Sequence, residues 1–418
     1  MWLVKGHKPC YKTIANFRKD NRKAFRKLFN LYRSFCINLE LYGKEVIAID
    51  GSKFRAQNSM KNNFNEKKIN RQLEYIDKKE QEYLDGLDQE DKEIESTSHE
   101  RLIQLAERRK KYESLKEQLE QREDTQISTV DPDARALPLH MRIVEVGYNL
   151  QSAVDDKHNL IVDYEVTNKN DSRALSGMAI KSKDALGLGN EETLTVLADK
   201  GYHSGIQMQA CHDHNIDTIV AIPRKPKQTD RSKPEYLHKD KFTYDKKQDT
   251  YTCPTGLTLT KQGRYTRENN TKFDRYTIKN SICKCCEHYE LCISPGNRRS
   301  SHGRHIDRYL TDKAVQRNKI HVAKNKALYK RRQAIVEHPF GTIKRAWGFT
   351  HTLMRTQPKV ETEFSLIMLC YNLRRTMSIL GIDGLKIALK RALCPILTMK
   401  RWIEPHRSKY FFITISFL

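Results

Sequence analysis

The sequence offers no segment suited to a membrane or to export. Its opening, MWLVKGHKPC, lacks a long apolar run followed by a small-residue cleavage site, so no signal peptide is expected. The closing YFFITISFL is apolar but far shorter than the about 20 residues a bilayer requires. No fixed-period repeat is present, which sets aside solenoids and propellers. Negative charge is scarce: 76 Lys+Arg stand against 52 Asp+Glu in 418 residues, a formal net charge of +24. These absences lead to a soluble, cytoplasmic protein with an anionic partner, and no membrane among its partners. Charge alone leaves DNA, RNA and acidic lipid open.

The excess is unevenly placed. From 222 to 418 there are 41 Lys+Arg and 16 Asp+Glu, a balance of +25. From 66 to 124 there are 13 and 18, a balance of −5. The length suits about two or three domains with at least one sizeable core. In a reducing cytoplasm the ten cysteines are expected as thiols or metal ligands, not disulfides.

Apolar residues between Tyr11 and Leu41 recur at helical spacing, and EVIAIDGSKF (45–54) reads as a buried strand ending at Asp50, broken by Gly51. The proline-free stretch 66–124 carries two apolar stripes, Ile69/Leu73/Ile76 and Leu102/Leu105/Tyr112/Leu115/Leu119, around a turn at LDGLDQED. This predicts an antiparallel helical hairpin. Two strands should meet in a hairpin at Asp155–Asn159. LTVLA and IDTIVAIP read as further buried strands, and helix returns from Thr311 to Arg345 and from Glu361 to Leu380.

Three acids occupy special places: Asp50 at a strand end, Asp199 after another strand, and Glu337 in the helical segment VEHPFGTIKRAWGF. Taken singly, Asp50-Gly51 reads as a turn and Asp199 as a helix cap. A carboxylate at the end of a buried strand is costly unless compensated, and a metal ion compensates it directly. Three such acids converging at a sheet edge could hold two Mg²⁺ ions about 4 Å apart for in-line chemistry at phosphorus. Glu337 and Lys344 are seven residues apart, close to two helical turns, so both could face one DNA strand. Pro339 should kink the helix or make it restart beside Glu337. His203, His212 and His214 read as polar helix surface, and Trp347 and Phe349 as core packing.

In order along the chain, VIAIDGSKFRAQNS, DPDAR, GYNLQSAVDDKHNLIVDYEVTN, LADKGY and RRQAIVEHPFGTIKRAWGF resemble the DDE transposases of bacterial insertion sequences. The resemblance extends over about residues 11–380. It implies an α/β, ribonuclease-H-like mixed sheet flanked by helices. It also implies Asp50, Asp199 and Glu337 as catalytic ligands of Mg²⁺ or Mn²⁺. Double-stranded DNA, both element ends and target, is the implied partner, bound by a homodimer. The family's Tyr-x2-Arg-x3-Glu-x6-Lys signature is matched at Glu337 and Lys344, while Lys330 and Gln333 stand at the Tyr and Arg positions. Lys344, Arg345, Arg331 and Arg332 are then the expected DNA-binding residues. A two-metal nuclease without strand transfer, and a truncated DNA-binding relic, are the rival functions. The family usually carries a further helical domain ahead of the segment matching Tyr11–Leu41.

YTCPTG and CKCCEHYELC bring together Cys253, Cys283, Cys286 and Cys292, with a C-x2-C pair suited to tetrahedral Zn²⁺. Reduced thiols in a small β-rich insert are the alternative. The expected organisation is a helical segment (1–44, the remnant of a longer domain), catalytic core (45–65, 128–223 and 304–380), hairpin insertion (66–127), basic cysteine-containing insertion (224–303) and a C-terminal tail (381–418).

Overall fold

The computed structural model describes residues 8–87, 95–121, 125–138, 144–223, 237, 239–267, 271–293 and 302–403. Side chains are excepted at 86–87, 95–99, 240 and 393–403. The chain forms two compact units, Met1–Leu194 with Arg331–Leu418, and Thr195–Lys330.

The first unit opens with α1 (Tyr11–Asp20) and α2 (Arg22–Asn38), so the expected helix is interrupted at Asn21. The strand β1 (Val46–Arg55) follows. A two-stranded pair, β2 (Asn63–Phe64) with β3 (Ile127–Ser128), brackets a hairpin of α3 (Glu66–Leu87) and α4 (Glu95–Gln121). Ile69, Leu115 and Leu119 from the expected stripes pack with Phe64 and Ile127, and Arg109 ties α4 to Asp77 and Glu80 of α3. The predicted turn falls partly on 88–91, outside the described residues.

The sheet of this unit is built on β5 (Val144–Asp155). It pairs antiparallel with β1 along one edge, and with β4 (Arg135–Pro138) and β6 (Ile161–Thr167) along the other. Ile47, Ala48, Ile49, Leu150 and Val154 are buried, as the apolar strand pattern demands. α5 (Leu175–Ala185) packs against β5 and β6. Against β1 and β6, α2 and α11 (Gln357–Ile403, broken at Gly381, whose φ is 72°) supply aromatics: Phe364 meets Phe54 with ring centroids 4.9 Å apart, and Phe29 meets Tyr164 at 4.9 Å.

One expectation is corrected. β1 does not end at Asp50; it runs on to Arg55, paired with Gly147 of β5. Gly51 is there for room, not to break the strand. A Cβ on it would lie 2.3 Å from Asp171 Oδ1 and 2.4 Å from Gln151 Nε2.

The second unit holds β7 (Leu194–Ala198) and β8 (Ile216–Val220), neighbours joined through α6 (Gly205–Asp213). Its inserted sheet has the order β13-β12-β11-β10-β9: β9 (Thr243–Asp245), β10 (Thr250–Thr252), β11 (Thr258–Thr266), β12 (Lys272–Lys279) and β13 (His302–Tyr309). Phe242, Tyr251, Leu259, Tyr276 and Ile306 form the core of the insert. Short α7 (Asn280–Lys284) and α8 (Tyr289–Cys292) carry cysteines, and α9 (Asp312–Lys324) returns to β8, where the Asn318 side chain bonds both N–H and C=O of Val220. α10 (Lys326–Gly341) leads back into the first unit. The architecture is α/β, with sheet flanked by helices and a β-rich insertion, the class that the strand and helix patterns of the sequence predict. Among the described residues no helix is long and apolar enough to cross a membrane.

The β5–β6 hairpin forms where expected and is closed by Asp155. This fully buried carboxylate accepts N–H bonds from Gly43, Lys44 and Lys157 at 3.0–3.1 Å, while burial pushes its pKa up. Asp155→Ala leaves three donors unpaired and should lower unfolding stability by about 2–3 kcal/mol in urea titrations.

Candidate active site

Asp50 lies midway along β1, half-buried and opposite Ser152 of β5. Its Oδ1 accepts the Gly51 N–H at 2.9 Å, and its Oδ2 accepts from Arg332 Nη1 at 3.3 Å. Arg332 comes from α10, whose apolar side, Ile335, Val336 and Pro339, is buried. The pair therefore joins a strand to a helix 282 residues away. On the other face of the strand, Asp171 Oδ1 accepts from Asn149 and Gln151 at 2.7 and 2.6 Å, and Lys53 lies 3.5 Å from Asp171 Oδ2.

Glu337 is exposed on α10, and its Oε1 accepts from Gln333 Nε2 at 2.7 Å. The residue at the family's Arg position thus serves the acid directly. Next to it, His338 Nδ1 lies 2.7 Å from the Tyr371 hydroxyl, which donates to the Asn159 carbonyl. With that hydroxyl proton committed, the imidazole is the donor. Burial lowers the His338 pKa, with a contribution from Arg375. The helix does not restart at Pro339. α10 continues to Gly341, and the irregularity is a π-helical turn at Thr342–Ala346, where the Trp347 N–H reaches Thr342 O at 3.0 Å. The N–H that proline lacks costs the helix one backbone bond, the one that would reach the Ile335 carbonyl.

The expected DNA-binding cations fall into different settings. Lys344 points inward: its Nζ donates to Lys53 O at 2.7 Å and lies 4.4 Å from the Phe54 ring centroid. Burial and the charge of Lys53 push its pKa down to about 8. Arg331 pairs with Asp156 at 2.7 Å, Arg332 with Asp50, and Arg345 is exposed. Phe349 packs on Phe54 and Phe364, as expected.

In the second unit Asp199 follows β7 and caps a single 3₁₀ turn, accepting the Gly201 N–H at 2.6 Å. His212 and His214 are exposed at the end of α6, and His203 is half-buried.

The donors at Asp50 suit a hard divalent cation. A half-buried carboxylate already attracts a guanidinium, and the buried Ser152 hydroxyl facing it has no hydrogen-bond partner. Ser152 and the Asn149–Gln151–Asp171 cluster escaped the sequence analysis. Their signal was the polar residues of NLQS inside an otherwise apolar strand. Cys253, Cys283, Cys286 and Cys292 line one cavity with His288 and Phe242. Burial first, then neighbouring thiols, raise the pKa of Cys283; burial also raises that of Cys292. Cys285 is exposed, its Sγ 3.7 Å from Ser281 O. Among the described residues, no three His, Cys, Asp or Glu side chains are gathered closely enough to hold a metal ion.

Residues 144–373 match the family model of the transposase DDE domain; the match includes Asp199 and Glu337 and begins after Asp50. No curated protein matches the chain. Among solved structures, the cryo-EM structure of the piggyBac transposase synaptic complex with hairpin DNA is similar at 12% identity and a TM-score of 0.28. That similarity covers 68% of this chain and 53% of that one, so the chain spans about half the length of that solved relative. With the family match extending over more than half of its 418 residues, the chain belongs to the transposase DDE domain family.

Proposed function

We propose that the chain is a transposase that cuts DNA at the ends of a mobile element and joins the freed end to target DNA, working in the bacterial cytoplasm as a homodimer on double-stranded DNA. The observation that carries this reading is the Asp50 carboxylate, held half-buried on a paired strand and already drawing a cation, in a chain of the transposase DDE family. Asp50, Asp199 and Glu337 are the carboxylates that would hold Mg²⁺ or Mn²⁺. Divalent ions supply activation of the attacking oxygen and stabilisation of charge on the leaving oxygen. Water attacks the phosphodiester and the P–O3′ bond breaks; the 3′-hydroxyl so released then attacks a phosphodiester of the target, whose own P–O3′ bond breaks and leaves a 3′-hydroxyl on the target strand.

The protein's own groups do the positioning. Arg331 and Arg345, both exposed, would meet phosphate. The Arg331 side chain is 59% exposed, so a phosphate could compete with Asp156 for its guanidinium. Lys344 anchors its turn on β1 and adds positive charge beside Lys53. The +25 balance from 222 onward supports a backbone-dominated, salt-sensitive interaction with DNA. Asp50→Ala, Asp199→Ala and Glu337→Ala should each abolish Mg²⁺-dependent nicking of a plasmid carrying the DNA that flanks the coding region, and leave gel-shift affinity for that DNA within about threefold. Nicking that persists in all three variants, or that needs no divalent ion, would overturn the reading.

We assign the insert's Cys253, Cys283, Cys286 and Cys292 to one Zn²⁺. The C-x2-C spacing and the shared cavity support this, since four thiolates satisfy tetrahedral zinc. Thiolate ligation would require the four sulfurs to close around the ion. Elemental analysis of protein purified without chelator should find about one zinc per chain, lost in Cys283→Ser/Cys286→Ser. Absence of stoichiometric zinc would contradict the assignment.

A further inference from the structure

Ser152 stands directly opposite Asp50 in the β1–β5 register. Paired residues of antiparallel strands share a face, with Cβ atoms about 5 Å apart. This is the face on which Arg332 reaches Asp50 and Phe54 meets Phe364. Along β5 the residues two before and two after Ser152 are Leu150 and Val154, both fully buried. An apolar row is therefore interrupted by one hydroxyl, at the position facing the acid. Ser152 is 1% exposed, and its Oγ is buried without a hydrogen-bond partner. On the other side, Tyr164 of β6 is paired with Ser152, but its hydroxyl is committed to Ser365 Oγ at 2.7 Å.

Buried hydroxyls are rarely left unpaired, and alanine would fill this space without an orphaned polar atom. Small size alone therefore does not account for serine. The acid beside it does. In this arrangement Asp50 Oδ1 is engaged by the Gly51 N–H and Oδ2 by Arg332. With the guanidinium exchanged for another cation, the carboxylate could turn and offer an oxygen to the β5 side.

We propose that Ser152 is a positioning residue for Asp50. Its Oγ–H donates to the Asp50 carboxylate when a divalent cation takes the place of the Arg332 guanidinium, and so holds the metal-binding rotamer. This inference rests on the proposed role of Asp50 as a metal ligand and adds a residue that does not itself touch metal or DNA.

The test is Mn²⁺ binding to the full chain, read by electron paramagnetic resonance of the free ion, with unfolding midpoints measured alongside. Asp50→Ala should abolish the site. Ser152→Ala should weaken it about tenfold, the lower end of what loss of an outer-shell hydrogen bond costs. Its unfolding midpoint without metal should be unchanged or higher, because an orphaned hydroxyl has been removed. Ser152→Thr, which keeps the hydroxyl, should bind Mn²⁺ within about threefold of wild type. Unchanged Mn²⁺ affinity in Ser152→Ala, with the site lost in Asp50→Ala, would overturn the inference and leave the reading of Asp50 intact. A loss in Ser152→Thr equal to that in Ser152→Ala would overturn it too, since packing and not the hydroxyl would then be the cause. If Asp50→Ala binds Mn²⁺ as wild type does, the reading of Asp50 falls, and the role of Ser152 with it.

Discussion

The Asp50–Arg332 ion pair is the contact on which the arrangement of the first unit turns. A carboxylate inside a paired, mostly buried strand needs a compensating charge, and a guanidinium supplies one here at 3.3 Å. The same contact sets α10 beside β1, and with α10 come Gln333, Glu337 and the turn that carries Lys344. Removing either partner would leave the other charge half-buried, which is why a pair of this kind constrains more than it stabilises. A metal ion at Asp50 would meet the same electrostatic demand, and Arg332 would then be released toward phosphate.

Around that pair the unit is organised by shape as well as charge. Gly51 admits Asp171 and Gln151 from one side of the strand, where any side chain would collide with them. On the other side Phe54, Phe349 and Phe364 pack together, and the Lys344 ammonium rests on the Phe54 ring. The acid thus sits between a polar cluster and an aromatic one, with little freedom for β1 to shift.

Much of this could be read from the sequence where the cause is local. The alternation of apolar residues marks β5 and β6 and their turn, where Asn159 takes a positive φ of 55°. The stripes Ile69/Ile76 and Leu115/Leu119 mark the hairpin, and VIAI marks β1. Where the cause is distant, the sequence was silent or misleading. Gly51 looks like a strand breaker until its partner Gln151, a hundred positions on, is known. Pro339 looks like a helix breaker, yet tertiary burial of that side of α10 carries the helix past it. Arg332 could not be linked to Asp50, nor Ser152 identified as its neighbour, because both depend on register and packing and not on spacing. The cysteine spacing pointed to Cys253, Cys283, Cys286 and Cys292 as a set; all four residues line one cavity, but among the described residues no three of them are gathered closely enough to hold a metal ion.

The central claim is that Asp50 is a cation site occupied by Arg332 until a divalent ion displaces it. Diffraction at the manganese edge, from crystals of the full chain grown with Mn²⁺, tests it most directly. The account predicts an anomalous peak within about 2.2 Å of an Asp50 carboxylate oxygen, with the Arg332 side chain withdrawn. An Asp50–Arg332 pair that remains intact, with manganese bound elsewhere, would contradict it.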